Sequence, residues 1–209
     1  MLGVIGGSGL YSLRGVPGHR AVESRPVETR WGRPSSPVAI GEVGGAPVAF
    51  LPRHGEDHSI PPHRIEYRAN VEALRLAGAE RILAVGAVGG IGPRCLPGTL
   101  VVPDQLIDYT WGREQTFAGP GDPVVHVDLT EPYSPAWRAA VVAAAERLAP
   151  AAEVPLVVGG VYGATQGPRF ETAAEVARLE RDGCTVVGMT GMPEAALARE
   201  AGLEYAAVC

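Results

Sequence analysis

A chain of 209 residues with 18 basic and 23 acidic side chains carries a net charge of −5 with its histidines neutral, and 46% of it is hydrophobic, the balance of one folded domain or a tight pair rather than of a disordered chain. The acidic balance excludes a duplex-coating or membrane-surface protein, which needs a basic stripe to release counterions. All 18 basic residues are arginines; Schiff-base chemistry, lysine-anchored pyridoxal phosphate and the Walker lysine are therefore excluded, and an anion must be held by arginine, amides, hydroxyls or histidine.

The first expected strand, Leu2–Ile5, runs into the glycine loop Gly6-Gly7-Ser8-Gly9. Ser12 stands where a dinucleotide fingerprint needs its third glycine, and no acidic residue follows at the usual distance, so a nicotinamide site is not indicated. The loop reads either as an anion cradle, with Ser8 as an added donor, or as a tight turn. Strands are next expected at Pro37–Gly41 and Val48–Leu51. They lead to Arg53-His54-Gly55-Glu56-Asp57-His58, where an arginine fork beside a histidine donor suits phosphate oxygens. A zinc site on His54, Asp57 and His58 lacks the His-Glu-x-x-His order, and Pro61-Pro62 interrupts any helix that would present it. No role is read for His19.

A helix over Glu66–Leu76 precedes a strand over Ile82–Val88, which ends in Ala87-Val88-Gly89-Gly90. Those small residues either permit close packing or let the amides after Ala87 face a ligand. Thr99–Val102 reads as a strand, Pro135–Leu148 as a helix capped by Ser134 with proline at its first position, and Val154–Tyr162 as one further strand. In Gly163–Glu175, Phe170 offers a flat apolar face. Glu171 is either a first-turn residue favoured by the helix dipole or an acceptor for a planar heterocycle. The helix Thr172–Arg181, the strand Val186–Gly188, the helix Pro193–Ala201 and the strand Tyr205–Cys209 complete the pattern. Thr190, between a strand end and a helix, is a cap or an anion ligand. Gly78, Gly183 and Gly202 follow helices as left-handed caps would. Strands alternating with helices predict a single three-layer α/β/α domain with a mixed central sheet and functional loops at strand ends.

Cys95, Cys184 and Cys209 have neither metal nor disulfide spacing, which points to a reducing compartment. The opening residues lack a signal-peptide pattern, and the longest apolar stretch, near Ile82–Gly92, is glycine-broken and too short for a bilayer span. A cytoplasmic protein is expected, with no membrane or nucleic-acid partner.

In order along nearly the whole chain, IGGSGL, RHG, PPH-x-x-x-YRAN, AVGGI, TQGPRFETAAE and MTGMPEAALARE resemble the trimeric purine nucleoside phosphorylase family, in its methylthioadenosine and methylthioinosine phosphorylase branch. The resemblance implies a nucleoside phosphorylase fold over residues 1–209 and phosphorolysis of a purine nucleoside to free base and a (methylthio)ribose 1-phosphate. It implies phosphate contacts from Ser8, Arg53, His54, Ala87 (through backbone) and Thr190, with Arg53, His54 and Thr190 catalytic. Met189 would back the ribose, Phe170 would lie against the base, and Glu171 matches the carboxylate of the 6-oxopurine members. His126 matches a histidine that reaches a nucleoside bound in a neighbouring subunit, which implies a homo-oligomer, a trimer or hexamer. No metal or organic cofactor is implied, and inorganic phosphate is a co-substrate. Glu171 implies 5′-methylthioinosine or another 6-oxopurine nucleoside as substrate, the alternative being 5′-methylthioadenosine with release of adenine. Family members continue past the position of Cys209 with a base-contacting segment and a closing helix; a 209-residue form without them is expected to turn over poorly.

Overall fold

The computed structural model describes all 209 residues, Met1–Cys209. In chain order the elements are β1 (Leu2–Gly6), β2 (His19–Arg25), β3 (Val38–Val43), β4 (Ala46–Pro52), a 3-10 turn (Pro62–Arg64), α1 (Tyr67–Leu76), β5 (Arg81–Val85), β6 (Gly89–Gly90), β7 (Leu100–Val102) and β8 (Gln105–Asp108). They continue with α2 (Pro135–Leu148), β9 (Leu156–Val158), β10 (Val161–Ala164), α3 (Ala173–Arg181), β11 (Cys184–Gly188), α4 (Gly191–Glu200) and β12 (Glu204–Val208).

Six strands form the main sheet in the order β12-β5-β1-β4-β3-β2. The four from β12 to β4 are parallel, and β3 and β2 add antiparallel pairing, which gives the expected mixed sheet. Its residues alternate between two apolar layers, as the period of a strand requires. Ile5, Leu51, Ile82 and Tyr205 join the core beneath α1 and α4. Leu83 and Ala206 pack with Val141 and Ala145 of α2 on the other face. A second sheet, β6-β11-β10-β8, carries α3 on β11. The short pair β7-β9 joins the main sheet through two backbone bonds between Val101 and Cys209, of 2.7 and 2.8 Å. No helix is long and apolar enough to cross a membrane.

Four sequence expectations need correction. Val154–Tyr162 is not one strand: Gly159 and Gly160 take φ of +88° and +115°, and Asp104 Oδ1 accepts the Gly160 N–H at 2.8 Å. The run therefore turns between β9 and β10 and serves two sheets, although its apolar pattern is unbroken. The strand expected over Ile82–Val88 ends at Val85, and the next residues leave the sheet to border the cavity described below. β2 and β8 were not expected, because His19–Arg25 is polar and largely exposed and Gln105–Asp108 spans only four residues. Ser134 begins α2 but does not cap it with its side chain; its Oγ instead accepts the Tyr205 N–H at 2.9 Å, tying the helix start to β12. Gly78, Gly183 and Gly202 do take the left-handed conformation after their helices, at φ +92°, +88° and +71°.

Candidate active site

Because β1, β4 and β5 run parallel, their carboxyl ends lie along one edge of the sheet, where ligands of such folds bind. A cavity of about 710 Å³ opens there. The loop after β1 contributes Ser8, the end of β4 contributes Arg53 and His54, and the residues after β5 contribute Gly86–Gly89. From the second sheet, the segment after β10 brings Phe170 and Glu171, and the end of β11 brings Met189 and Thr190. Eight of the nine site residues expected from sequence thus border one cavity: Ser8, Arg53, His54, Ala87, Phe170, Glu171, Met189 and Thr190. His126 does not; it is exposed in the irregular segment before α2.

Arg53 is 2% exposed and held in a fixed pose. Its Nε and Nη2 donate to the two oxygens of Glu194 at 2.7 and 3.0 Å, and Nη1 donates to the Val85 carbonyl at 3.2 Å. Of the five guanidinium hydrogens, one on each Nη remains for a ligand. Glu194 Oε1 also accepts the Tyr205 hydroxyl at 2.9 Å. Burial works against the charge on Arg53, but Glu194 outweighs it and holds the guanidinium above its ordinary pKa. Gly7 completes the cradle: a Cβ there would come within 2.7 Å of the Val85 oxygen and 2.9 Å of Arg53 Nη1. Any side chain at position 7 would displace either the strand end or the guanidinium.

His54 sits 2.8 Å, through Nδ1, from the Ile60 carbonyl. A carbonyl only accepts, so Nδ1 carries the hydrogen and Nε2 is the free nitrogen. Burial, together with the nearby Arg53 and His58, lowers its pKa despite the bond to Ile60. At neutral pH the ring is therefore uncharged and Nε2 is an acceptor. With Nδ1 bonded to the Ile60 carbonyl, only Nε2 is left to face the cavity. Its ring lies 4.7 Å from that of His58, which also borders the cavity and meets the Tyr11 hydroxyl at 3.0 Å. Asp57 turns away to accept from the backbone and hydroxyl of Ser59.

Two ambiguities of the sequence are resolved by hydrogen bonding. Thr190 occupies the N-cap position of α4 but makes no side-chain cap bond; it borders the cavity, and its N–H donates to the Tyr162 hydroxyl at 3.3 Å. Glu171 is not a capping residue, because Thr172 and Glu175 form the capping box of α3 themselves. One oxygen of Glu171 accepts the Thr165 hydroxyl at 2.6 Å, which fixes the carboxylate at the cavity edge. Phe170 stands at the rim with 83% of its surface exposed.

Sequence reasoning missed two residues. Glu194 was legible only as a lone acid in a helix whose residues Gly191–Ala198 are all buried. Arg113 lies in the irregular segment between β8 and α2, where no periodicity marks it. Its Nη1 and Nη2 reach the carbonyls of Met189, Met192, Thr165 and Gln166 within 2.7–3.3 Å.

One cavity is thus bordered by an arginine, a histidine, hydroxyls and a glycine-rich loop from the main sheet and the end of β11, and by a carboxylate and an aromatic ring from the segment after β10. The sequence profile of the phosphorylase superfamily matches residues 2–209, and the chain belongs to that superfamily. It is 56% identical over 206 residues to a probable S-methyl-5′-thioinosine phosphorylase of Xanthomonas campestris, covering 98% of this chain and 80% of that one. It is 49% identical over 209 residues to the S-methyl-5′-thioadenosine phosphorylase of Mycolicibacterium smegmatis, covering 100% and 74%. The methylthioadenosine phosphorylase of Schistosoma mansoni, in its apo form, superposes with a TM-score of 0.91 at 38% identity, over 99% of this chain and 78% of that one. The protein is a phosphorylase of the methylthioadenosine and methylthioinosine branch, an enzyme of the pentosyltransferase class.

Proposed function

We propose that the enzyme cleaves 5′-methylthioinosine, or another 6-oxopurine nucleoside, with inorganic phosphate. Phosphate occupies the end of the cavity bordered by Ser8, Arg53, His54, Ala87 and Thr190, where the two remaining Arg53 hydrogens and the Thr190 hydroxyl donate to it and His54 Nε2 accepts from it. The sugar lies along Met189 with C1′ above the phosphate. As the glycosidic bond lengthens, positive charge develops on the ribose. The fixed phosphate is both nucleophile and counter-charge, so orientation and electrostatic stabilisation come from one bound ion. A phosphate oxygen bonds to C1′, the C1′–N9 bond breaks, and its electron pair leaves with the purine, whose ring nitrogen takes a proton from water as the phosphate gives up its own. These steps draw on no metal or organic group.

The observation that carries the choice of base is Glu171. Hypoxanthine has a hydrogen on N1 for the carboxylate to accept; adenine presents a lone pair there, leaving two acceptors opposed. An unpaired acceptor in a dry pocket costs about 1–3 kcal/mol. The greater identity to the thioinosine phosphorylase than to the thioadenosine phosphorylase supports the same choice. The alternative, an adenine-releasing enzyme, is favoured by the likeness to the Schistosoma enzyme. The test is phosphate-dependent release of hypoxanthine and of adenine from the two matched methylthio nucleosides, under single-turnover conditions. Hypoxanthine should appear faster; faster adenine release overturns the assignment.

The family resemblance implies that His126 serves the site of a neighbouring subunit; it is exposed and borders no part of its own cavity, which leaves it free for that role. The expected assembly is a homotrimer or hexamer, and a light-scattering mass of one chain would remove that role. A reducing cytoplasm remains the expected compartment, with Cys95, Cys184 and Cys209 as free thiols.

A further inference from the structure

We infer that Arg113, which does not itself border the cavity, is a positioning residue that locks together the three walls of its nucleoside end. The first wall is the Pro62 segment: Arg113 Nη1 donates to the Tyr67 hydroxyl at 3.1 Å, and that hydroxyl donates to the Pro62 carbonyl at 3.0 Å. The second is the loop leading to Glu171. Arg113 Nη2 donates to the carbonyls of Thr165 and Gln166 at 3.3 and 2.8 Å, and Thr165 in turn donates to Glu171. The third is the loop after β11, whose Met189 and Met192 carbonyls accept from Nη1 at 2.8 and 2.7 Å.

One planar cation therefore gathers four carbonyl oxygens and a phenol from three segments far apart in sequence, with one of the two Nη1 hydrogens shared between acceptors. Only an arginine fork has donors spread widely enough to do so; an ammonium is a point charge on a flexible stem. The Arg113 Nε is buried without a partner, so the geometry is set by the two terminal nitrogens. None of these bonds goes to Ser8, Arg53, His54 or Ala87 at the phosphate end; the cradle is approached only at Thr190, whose peptide carbonyl partner is Met189. Arg113 thus governs how the sugar and base are held, and through Thr165 how Glu171 is aimed, while four of the five phosphate contacts lie outside its bonds. This inference rests on the division of the cavity proposed above.

Steady-state constants for nucleoside and for phosphate, measured separately in Arg113→Ala and Arg113→Lys, test it. In Arg113→Ala, kcat/KM for the nucleoside should fall on the order of 10²-fold, the scale of a small misplacement at a reacting centre. The nucleoside KM should rise while the phosphate KM moves less than about twofold; a smaller folded fraction would lower kcat alone and leave both KM values unchanged. Added guanidinium ion, well below denaturing concentrations, should restore part of the nucleoside term in Arg113→Ala. Arg113→Lys should stay impaired, and it carries the comparison if the alanine variant does not fold. Parallel loss of both constants, or full activity in Arg113→Lys, overturns the inference. Thr190→Ala is the separate control on the underlying reading. If it leaves the phosphate KM unchanged, the phosphate assignment fails, while a selective nucleoside loss in the Arg113 variants still stands.

Discussion

Exchange of Glu194 for alanine is expected to lower the free energy of unfolding by about 3–5 kcal/mol, because it leaves the Arg53 guanidinium buried and unpaired. Arg53 and Glu194 are 2% and 1% exposed at their side chains, so neither can recover its solvation by turning outward. Against a typical total of about 5–15 kcal/mol, that loss removes a large part of the stability of a domain. Glu194→Gln should cost less: the amide oxygen still accepts from Arg53 Nη2 and Tyr205, although the charge is gone and the NH2 group opposes the Arg53 Nε hydrogen. The same variants should raise the phosphate KM, since the two free Arg53 hydrogens are aimed only while Glu194 holds the rest of the fork. Stability and function separate in the double exchange Arg53→Met with Glu194→Leu. An apolar pair of similar volume can match or exceed a buried ion pair in stability, so the urea midpoint should recover while phosphorolysis does not. A Glu194→Ala urea midpoint equal to that of the parent would mean that the pair does not anchor the site. The pairing also moderates the cradle itself: phosphate meets a guanidinium whose charge is already partly answered, and it is bound chiefly by directed hydrogen bonds.

The parts of this protein that could be read from sequence are those whose signal is local. The β1 loop, the Arg53-His54 pair and the strand end at Thr190 each follow an apolar run, and parallel strands deliver such run ends to one edge whatever the details of packing. The helices Pro135–Leu148 and Thr172–Arg181 were legible within a residue, because proline, threonine and glycine mark their ends. What escaped is relational. Glu194 looks like an ordinary helix residue until Arg53, 141 positions away, is placed against it. Arg113 acts on carbonyl oxygens, which every residue has and no sequence distinguishes. The break at Gly159–Gly160 hides inside a continuous apolar run because both halves are sheet. The pose of His54 required the Ile60 carbonyl, six residues on, which fixes Nδ1 and leaves Nε2 to the cavity.

The second large effect is expected at Glu171, and its direction is set by a neighbour. In Glu171→Gln the side chain keeps one oxygen and gains an NH2 group. Free to rotate, it could offer either group to a base and would merely level the two substrates. Thr165, however, donates its hydroxyl to Glu171 Oε1 at 2.6 Å, much closer than its other acceptor, the Gly188 carbonyl at 3.3 Å. The glutamine oxygen should stay on the Thr165 hydroxyl, turning the NH2 toward the base. That donor pairs with the N1 lone pair of adenine and opposes the N1 hydrogen of hypoxanthine. The ratio of hypoxanthine to adenine release should therefore invert rather than level. Each mismatched pair is worth about 1–3 kcal/mol, so the ratio should move by about 10- to 10²-fold or more. Adding Thr165→Val removes the hydroxyl that orients the amide. The double variant should then release both bases at similar rates, a difference between single and double exchange that a general loosening of the pocket would not produce. If Glu171→Gln alone leaves the base ratio unchanged, the carboxylate does not read the purine at N1, and the preference must be sought elsewhere in the cavity.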